Sequence, residues 1–244
     1  GIKVANLNFK YDRFATANIL ENINIDFQPR KVTAIVGESG SGKTTLIKLM
    51  LGYYSNYTGD IMINGTDLRN ICLKDWRRKC GVVMQNGVIF TESIARNIAI
   101  DDSEIDSERL IKAAKTANIY DFVMSLPLKF ETIIGPNGIG VSQGQRQRIL
   151  IARALYRNPE YIIFDEATNS LDTINERYIV DNLDSFFQNK TVIIIAHRLS
   201  TVKNADNIIV MNHGHISESG THEQLVSAKG TYYELVKNQL ELES

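Results

Sequence analysis

The octapeptide at residues 37–44, Gly-Glu-Ser-Gly-Ser-Gly-Lys-Thr, limits the folds open to this chain more than any other segment. It directly follows the apolar run Val32–Val36 and leads into a predicted helix from Thr44 to Leu51. Glycines at this spacing let the backbone curl so that successive N–H groups point inward as a nest for an anion. The helix that follows adds the positive end of its dipole. The order of strand, glycine-rich loop and helix therefore predicts a loop that binds nucleotide phosphates, rather than a turn with a surface lysine.

The side chains of this loop have the chemistry that a triphosphate requires. Lys43 supplies a mobile positive charge between the outer phosphates, and the Thr44 hydroxyl is a candidate ligand of Mg²⁺. The loop residues that we expect to bind nucleotide are Gly37, Ser39, Gly40, Ser41, Gly42, Lys43, Thr44 and Thr45.

Two kinds of apolar pattern predict the fold class. Short continuous apolar runs predict buried strands of a parallel sheet, each followed by a helix; they are Val32–Val36, Tyr161–Phe164 and Thr191–Ala196. Alternating apolar residues beside turn sequences predict antiparallel strands around 23–27, 61–63 and 208–216.

Helical spacing predicts helices over 107–126 and 142–156. We therefore expect an α/β fold with a P-loop (RecA-like) parallel-sheet core, an antiparallel β-subdomain and an inserted α-helical subdomain. Residues 1–85 and 159–244 would form the core with its β-subdomain, and residues 86–158 the helical insert.

Charged and titratable side chains follow the second and third apolar runs. Asp165 and Glu166 end the second run, where one carboxylate could bind Mg²⁺ and the other could polarise an attacking water molecule. The alternative for Glu166 is an acidic helix start. His197 follows the third run, and lone histidines are often structural, but ligands of such sheets bind at the strand carboxyl ends. These residues predict a P-loop ATPase or GTPase without distinguishing the two.

Composition excludes some partners. The formal net charge is −1 with no block of like charge, so there is no electrostatic footprint for nucleic acid. No segment approaches the ~20 apolar residues of a membrane helix, and no signal peptide pattern is present at the start. The cysteines Cys72 and Cys80 form neither a disulfide framework nor a metal motif. We expect a domain cut from a longer protein.

The segment Val141-Ser-Gln-Gly-Gln145 resembles the signature sequence of ABC (ATP-binding cassette) ATPases, usually written LSGGQ. Other motifs of that family follow the same order along the chain, at Phe9–Tyr11, Gln85, Ser170–Asp172 and Ala196–Arg198. Two positions depart from the family pattern, because Val141 replaces the usual leucine and Gln143 replaces the first glycine.

The resemblance implies a role for each matching residue. Tyr11 would stack on adenine, and Gln85 would contact Mg²⁺ or the attacking water. Asp165 would be a Mg²⁺ ligand with Thr44 and Gln85. Ser142, Gly144 and Gln145 would bind the γ-phosphate held by a second subunit, and Asp172 would contact that subunit's phosphate loop. Catalysis would fall to Glu166, His197, Gln85 and Lys43, with ATP and Mg²⁺ as cofactors.

Further segments resemble the exporter branch of the family, namely Ser93–Ile98, Glu131–Gly135 and Gly220–Leu225. The Gln143 signature and Met84–Gly87 look most like the bacteriocin and peptide exporters that carry a peptidase domain. The resemblance to these exporters implies that the chain forms a homodimer with ATP, at the cytoplasmic face of the cell membrane. Its other partners would be the transmembrane domains of an exporter, on the same full-length chain. A soluble ABC ATPase acting on DNA or ribosomes, and a nucleotide-switched dimer without turnover, remain as alternatives.

Overall fold

The computed structural model describes residues 1–12, 17–100, 102–165, 186–195 and 202–243, with side chains described through residue 238. Three predicted site residues, Glu166, Asp172 and His197, lie outside the described residues. The chain divides into a first unit, Gly1–Lys79 with Asn189–Ser244, and a second unit, Cys80–Gln188.

The described residues form the following strands and helices. The strands are β1 (Ile2–Phe9), β2 (Leu20–Phe27), β3 (Val32–Val36), β4 (Tyr57–Ile63), β5 (Thr66–Asp67), β6 (Cys80–Val83), β7 (Glu92–Ser93), β8 (Ile133–Ile134), β9 (Tyr161–Asp165), β10 (Thr191–Ile195), β11 (Asn207–Asn212) and β12 (His215–Gly220). The helices are α1 (Lys43–Met50), α2 (Leu73–Arg78), α3 (Ile94–Ile98), α4 (Ser107–Thr116), α5 (Tyr120–Ser125), α6 (Gln143–Tyr156), α7 (His222–Ala228) and α8 (Thr231–Glu243).

The first unit contains an antiparallel sheet in the order β2-β1-β4-β5. In β2, Ile23, Ile25 and Phe27 are buried while the residues between them are exposed, because successive side chains of a strand point to opposite faces. Asn64 and Gly65 both have positive φ, the conformation that a two-residue hairpin turn requires. The predicted antiparallel β-subdomain is confirmed for the segments around 23–27 and 61–63. The prediction for 208–216 is wrong in part, because β11 belongs to the other sheet, where it is parallel to β3 and antiparallel only to β12.

The first unit also contains the strand that leads into the phosphate loop. β3 lies between β10 and β11 and is parallel to both, while β12 pairs antiparallel with β11. β10 is buried along its whole length, which explains its continuous apolar run. The parallel arrangement places the carboxyl ends of β3, β10 and β11 at the same edge.

In the second unit, the parallel pair β6 and β9 accompanies helices α3 to α6 and the short antiparallel pair β7 and β8. The predicted helix over 107–126 is two helices, α4 and α5. The chain breaks there because Asn118 adopts a left-handed conformation with φ of 53° and donates its N–H to the Lys115 carbonyl. Strands β6, β7 and β8 were not predicted, because two to four residues carry little periodicity.

The compact second unit is larger than the predicted insert at 86–158, because it includes the flanking strands β6 and β9. The division by role into core and insert stays a prediction. Within the described ranges, no helix combines the length and apolar character needed to cross a bilayer.

Candidate functional site

The phosphate loop of the first unit depends on glycine at both of its ends. Gly37, directly after β3, has a φ of 146°, and a Cβ there would lie 2.1 Å from the Met211 carbonyl oxygen. Gly42 caps α1 in the left-handed conformation, with a φ of 101°. A side chain at either position would strain the backbone, so the spacing of these glycines reflects the curl of the loop.

Lys43 lies across this loop. Its side chain is only 6% exposed, and Nζ donates to the carbonyl oxygens of Gly37 and Glu38, each at 2.8 Å, and to Ser41 Oγ at 3.3 Å. A buried ammonium is tolerated only when its donors are satisfied in this way. The loop therefore holds the ammonium group of Lys43 among its own backbone carbonyl groups.

The other predicted loop residues line the same turn. Ser41 and Thr45 are buried, Thr44 is half-buried at the first turn of α1, and Ser39 and Gly40 are exposed. The hydroxyl of Thr44 is an oxygen ligand of the kind that Mg²⁺ prefers. The structure thus brings the predicted loop residues together around one nest.

Tyr11 lies beside the phosphate loop. Its hydroxyl is 2.8 Å from Thr45 Oγ1, and its ring is 49% exposed. Phe9 and Tyr54 pack edge-on against this ring, with centroids at 5.0 Å and 5.3 Å. An exposed aromatic face held by two other rings is suited to stack on a nucleotide base. The contribution of Tyr54 was missed, because no motif distinguishes this tyrosine from other surface tyrosines.

In the second unit, two predicted residues lie at the carboxyl ends of neighbouring strands. Val83 of β6 is paired with Phe164 of β9, Asp165 follows Phe164, and Gln85 follows β6 after one residue. Asp165 is 1% exposed, whereas Gln85 is exposed. A carboxylate and an amide at one strand edge are suitable groups for a cation and a water molecule.

The described residues contain no cluster of three or more His, Cys, Asp or Glu side chains that could hold a metal ion on its own. Mg²⁺ keeps most of its water and takes one or two protein carboxylates together with substrate phosphates. Thr44, Asp165 and Gln85 each offer a side-chain oxygen for such a site, and their assignment as ligands remains a prediction.

The signature residues form the beginning of α6. Ser142 is its N-cap, with Oγ accepting from the Gln145 N–H at 3.2 Å while Gln145 Oε1 accepts from the Ser142 N–H at 2.8 Å. This capping box fixes the entry of the chain into the helix. Gln143 occupies the first helical position with an exposed side chain, and a helical φ does not require glycine. The departure from the family pattern is therefore compatible with a regular helix start.

A phosphate nest on a strand-loop-helix unit, with an exposed aromatic ring beside it, defines a P-loop nucleotide-binding protein. Residues 20–169 match the family model described as ABC transporter. The chain belongs to the ABC transporter family.

Similar proteins include two translocation proteins. The alpha-hemolysin translocation ATP-binding protein HlyB of Escherichia coli O157:H7 is 47% identical over 95% of this chain and 33% of its own length. The leukotoxin translocation ATP-binding protein LktB of Mannheimia haemolytica is 47% identical over 98% of this chain and 34% of its own length. The chain thus spans about a third of the length of these relatives.

A solved structure of a bacterial Atm1-family ABC exporter with ATP bound is also similar. It superposes with a TM-score of 0.93 at 36% identity, over 98% of this chain and 42% of that one. The predicted α/β fold and the resemblance to the exporter branch are confirmed.

Proposed function

We propose that this chain is the ATP-hydrolysing motor of an ABC exporter. The observation that carries the proposal is the phosphate loop, with Lys43 buried at its centre and the exposed ring of Tyr11 beside it. The relatives named for translocation of hemolysin and leukotoxin support the assignment to export.

In this proposal, the phosphate loop and Tyr11 of the first unit bind ATP. The N–H groups of the loop and the N-terminus of α1 receive the phosphates of ATP, and Lys43 supplies the positive charge between them. Tyr11 packs against adenine. Thr44, Asp165 and Gln85 are the residues that would hold Mg²⁺, and the ion would supply charge neutralisation on the phosphate oxygens.

Hydrolysis is assigned to residues at the strand ends. Glu166 accepts a proton from water as the water oxygen attacks the γ-phosphorus, and the bond between the γ-phosphorus and the bridging oxygen breaks to release ADP. Gln85 and His197 hold the water and the γ-phosphate in line.

The exposed start of α6 completes the site of a second copy. Ser142, Gly144 and Gln145 present a helix N-terminus, which attracts an anion but carries no lysine of its own. Two copies then enclose two ATP molecules head to tail, and Asp172 contacts the partner's phosphate loop. Hydrolysis removes the charge that holds the copies together.

Export requires a second contact, with transmembrane domains. Large apolar side chains of the second unit are exposed after Gln85 and around β8, namely Val88, Phe90, Leu128, Ile133 and Ile139. Such side chains suit a protein partner. We place this contact at the cytoplasmic face of the membrane, with the transmembrane domains on the same full-length chain. We propose a polypeptide cargo, with peptides and bacteriocins as the narrower hypothesis.

The test is Mg²⁺-dependent ATP hydrolysis and solution mass of the wild type and of Glu166→Gln. The proposal expects wild-type turnover, and an inactive variant that dimerises only with ATP. Glu160→Gln is the matched control, because Glu160 is an exposed carboxylate at the opposite end of β9, and it should retain wild-type activity. A Glu166→Gln variant that hydrolyses ATP as fast as wild type rejects Glu166 as the base. A wild type that dimerises with ATP without hydrolysing it indicates a nucleotide-switched dimer instead.

A further inference from the structure

The second unit contains a buried polar cluster that the proposed chemistry does not use. Asn97, on α3, is fully buried. Its Oδ1 accepts from the Phe90 N–H at 2.9 Å, and its Nδ2 donates to the Phe90 carbonyl at 3.0 Å. One amide side chain thus satisfies both backbone groups of Phe90, in the way that a neighbouring strand would.

Arg153 of α6 joins the same cluster. Its Nε donates to the Asn97 carbonyl at 2.7 Å, Nη1 to the Val88 carbonyl at 2.8 Å, and Nη2 to Asn97 Oδ1 at 3.2 Å. Its guanidinium also lies over the Phe90 ring, 5.5 Å from the centroid. Burial lowers the pKa of Arg153 to about 10, so the group stays charged at neutral pH while bound to carbonyl oxygens.

Two more contacts fix residues 87–90 to α6. Arg146 donates to the Gly87 carbonyl, and Leu150 packs so closely on Gly87 that an added Cβ would lie 2.5 Å from its Cδ1. Arg146, Leu150 and Arg153 are spaced four and then three residues apart, so they lie on one face of the helix. Three positions on one face of α6 therefore contact residues 87–90.

Residues 87–90 and helix α6 each lie next to predicted functional residues. The segment 87–90 begins two residues after Gln85, and α6 begins at the signature residues Ser142 and Gly144. Close packing transmits strain, and fully satisfied polar networks make the segments that they join rigid. We therefore expect a displacement of the segment after Gln85 to reach the signature end of α6.

We propose that Arg153 and Asn97 form a clamp that makes residues 86–90 and helix α6 move as one body. Both are positioning residues, since they set Gln85 and the signature relative to each other without touching the nucleotide. The expected change in kcat rests on the proposed ATP hydrolysis. The joint movement of residues 86–90 with α6 rests on the contacts alone.

Arg157, at the same end of α6 as Arg153, provides a matched control. Arg157 donates to the Ile100 carbonyl at 3.0 Å and to Asp102 Oδ1 at 2.8 Å, so it also ties a loop to α6. That loop lies beyond α3 and contains none of the predicted site residues. Arg157→Met therefore removes a comparable contact from the same unit without opening the clamp.

The experiment compares the wild type, Arg153→Met, Arg153→Lys and Arg157→Met by ATPase kinetics and by amide hydrogen exchange with and without ATP. Arg153→Met should raise exchange in residues 86–93. It should lower kcat roughly 10- to 100-fold, as a misplacement of about 1 Å does, while KM for ATP stays within about twofold. Arg153→Lys keeps the charge but loses the planar set of guanidinium donors. Its kcat and its exchange in residues 86–93 should lie between those of Arg153→Met and the wild type. Arg157→Met should change exchange near residue 100 and leave kcat within about twofold.

The outcomes separate the clamp from the proposed function. If Arg153→Met leaves the exchange of residues 86–93 unchanged, or if its kcat equals that of Arg157→Met, the clamp is rejected. If Arg153→Met does not fold, Arg153→Lys decides by the same two readouts. If the wild type hydrolyses no ATP, the proposed function is rejected, and the clamp is then decided by the exchange data alone.

Discussion

The N-terminus of α1 and the N-terminus of α6 are both suited to an anion, but the chain builds them differently. The α1 terminus follows a curled glycine loop with a buried lysine at its centre. The α6 terminus follows an exposed serine and is closed by a capping box. Only the α1 terminus has a full positive charge, that of Lys43, within its nest.

This difference indicates two roles for one physical motif. The α1 terminus is suited to bind a phosphate with residues of one copy of the chain, because its cation, Lys43, belongs to the same loop. At the α6 terminus the nearest cations, Arg146 and Arg148, donate to the carbonyl oxygens of Gly87, Gly144 and Asn118. The helix end itself carries the partial charge of its dipole, about half an elementary charge. In the proposed head-to-tail dimer, this end would contribute binding energy when the second copy brings a phosphate to it.

Removal of the loop cation should have the largest effect. Lys43→Ala should weaken ATP binding by about 100-fold or more, since charge-assisted contacts to phosphate are the strong ones and a buried site has no solvent to replace them. Calorimetric titration of ATP measures the affinity. Lys48→Ala, on the same helix outside the loop, should bind ATP like the wild type.

Removal of the signature cap should weaken dimerisation but not nucleotide binding. Ser142→Ala should lower the free energy of unfolding by about 1 kcal/mol and weaken ATP-dependent dimerisation by about tenfold. Thr221→Ala is a close control, because Thr221 and Gln224 form the same capping box at α7. It should lose similar stability in denaturant titrations and keep the dimer. If both variants dimerise equally well, the α6 terminus has no role beyond its own helix.

The aromatic face beside the loop should contribute to ATP affinity. Tyr11→Ala should raise KM for ATP about tenfold, consistent with roughly 1–3 kcal/mol for stacking on a base. Tyr11→Phe loses only the hydroxyl contact with Thr45 and should stay within about threefold. Tyr53→Ala removes a comparably exposed tyrosine of the first unit and should leave KM unchanged.

The smallest effect is expected for the unusual signature residue. Gln143→Gly restores the family glycine at an exposed first helical position. It should lower the free energy of unfolding by no more than about 1 kcal/mol. Hydrolysis should stay within about twofold, because the Gln143 side chain leaves the helix start regular. A tenfold gain in activity would instead show that this side chain hinders the approach of the second copy.

The sequence predicted the parts of the site that rest on local chemistry. The phosphate loop needs glycine at fixed backbone positions, and the N-cap at Ser142 needs a short polar side chain, so both appear as motifs. Strand β3 was predicted with its observed bounds, because it is a continuous β-branched run between polar residues.

Features that depend on distant pairing were not visible in the sequence. Strand β6 is four residues long and is defined by its pairing with β9, about 80 residues later. The contacts of Arg153 with Asn97 and Val88 join residues far apart in the chain, and an arginine on a helix reads as a solvated side chain. The break at Asn118 was missed because asparagine is tolerated in helices and the apolar spacing continues across it.

In the proposed dimer, each active site combines the phosphate loop of one copy with the signature of another. The direct test mixes two inactive variants, Lys43→Ala and Gly144→Asp. The aspartate should not harm the helix, because acidic residues favour the first turn, but it repels an incoming phosphate. Random pairing gives mixed dimers with one intact composite site, so the mixture should recover about a quarter of wild-type ATPase activity. A mixture no more active than either variant alone would contradict the shared site.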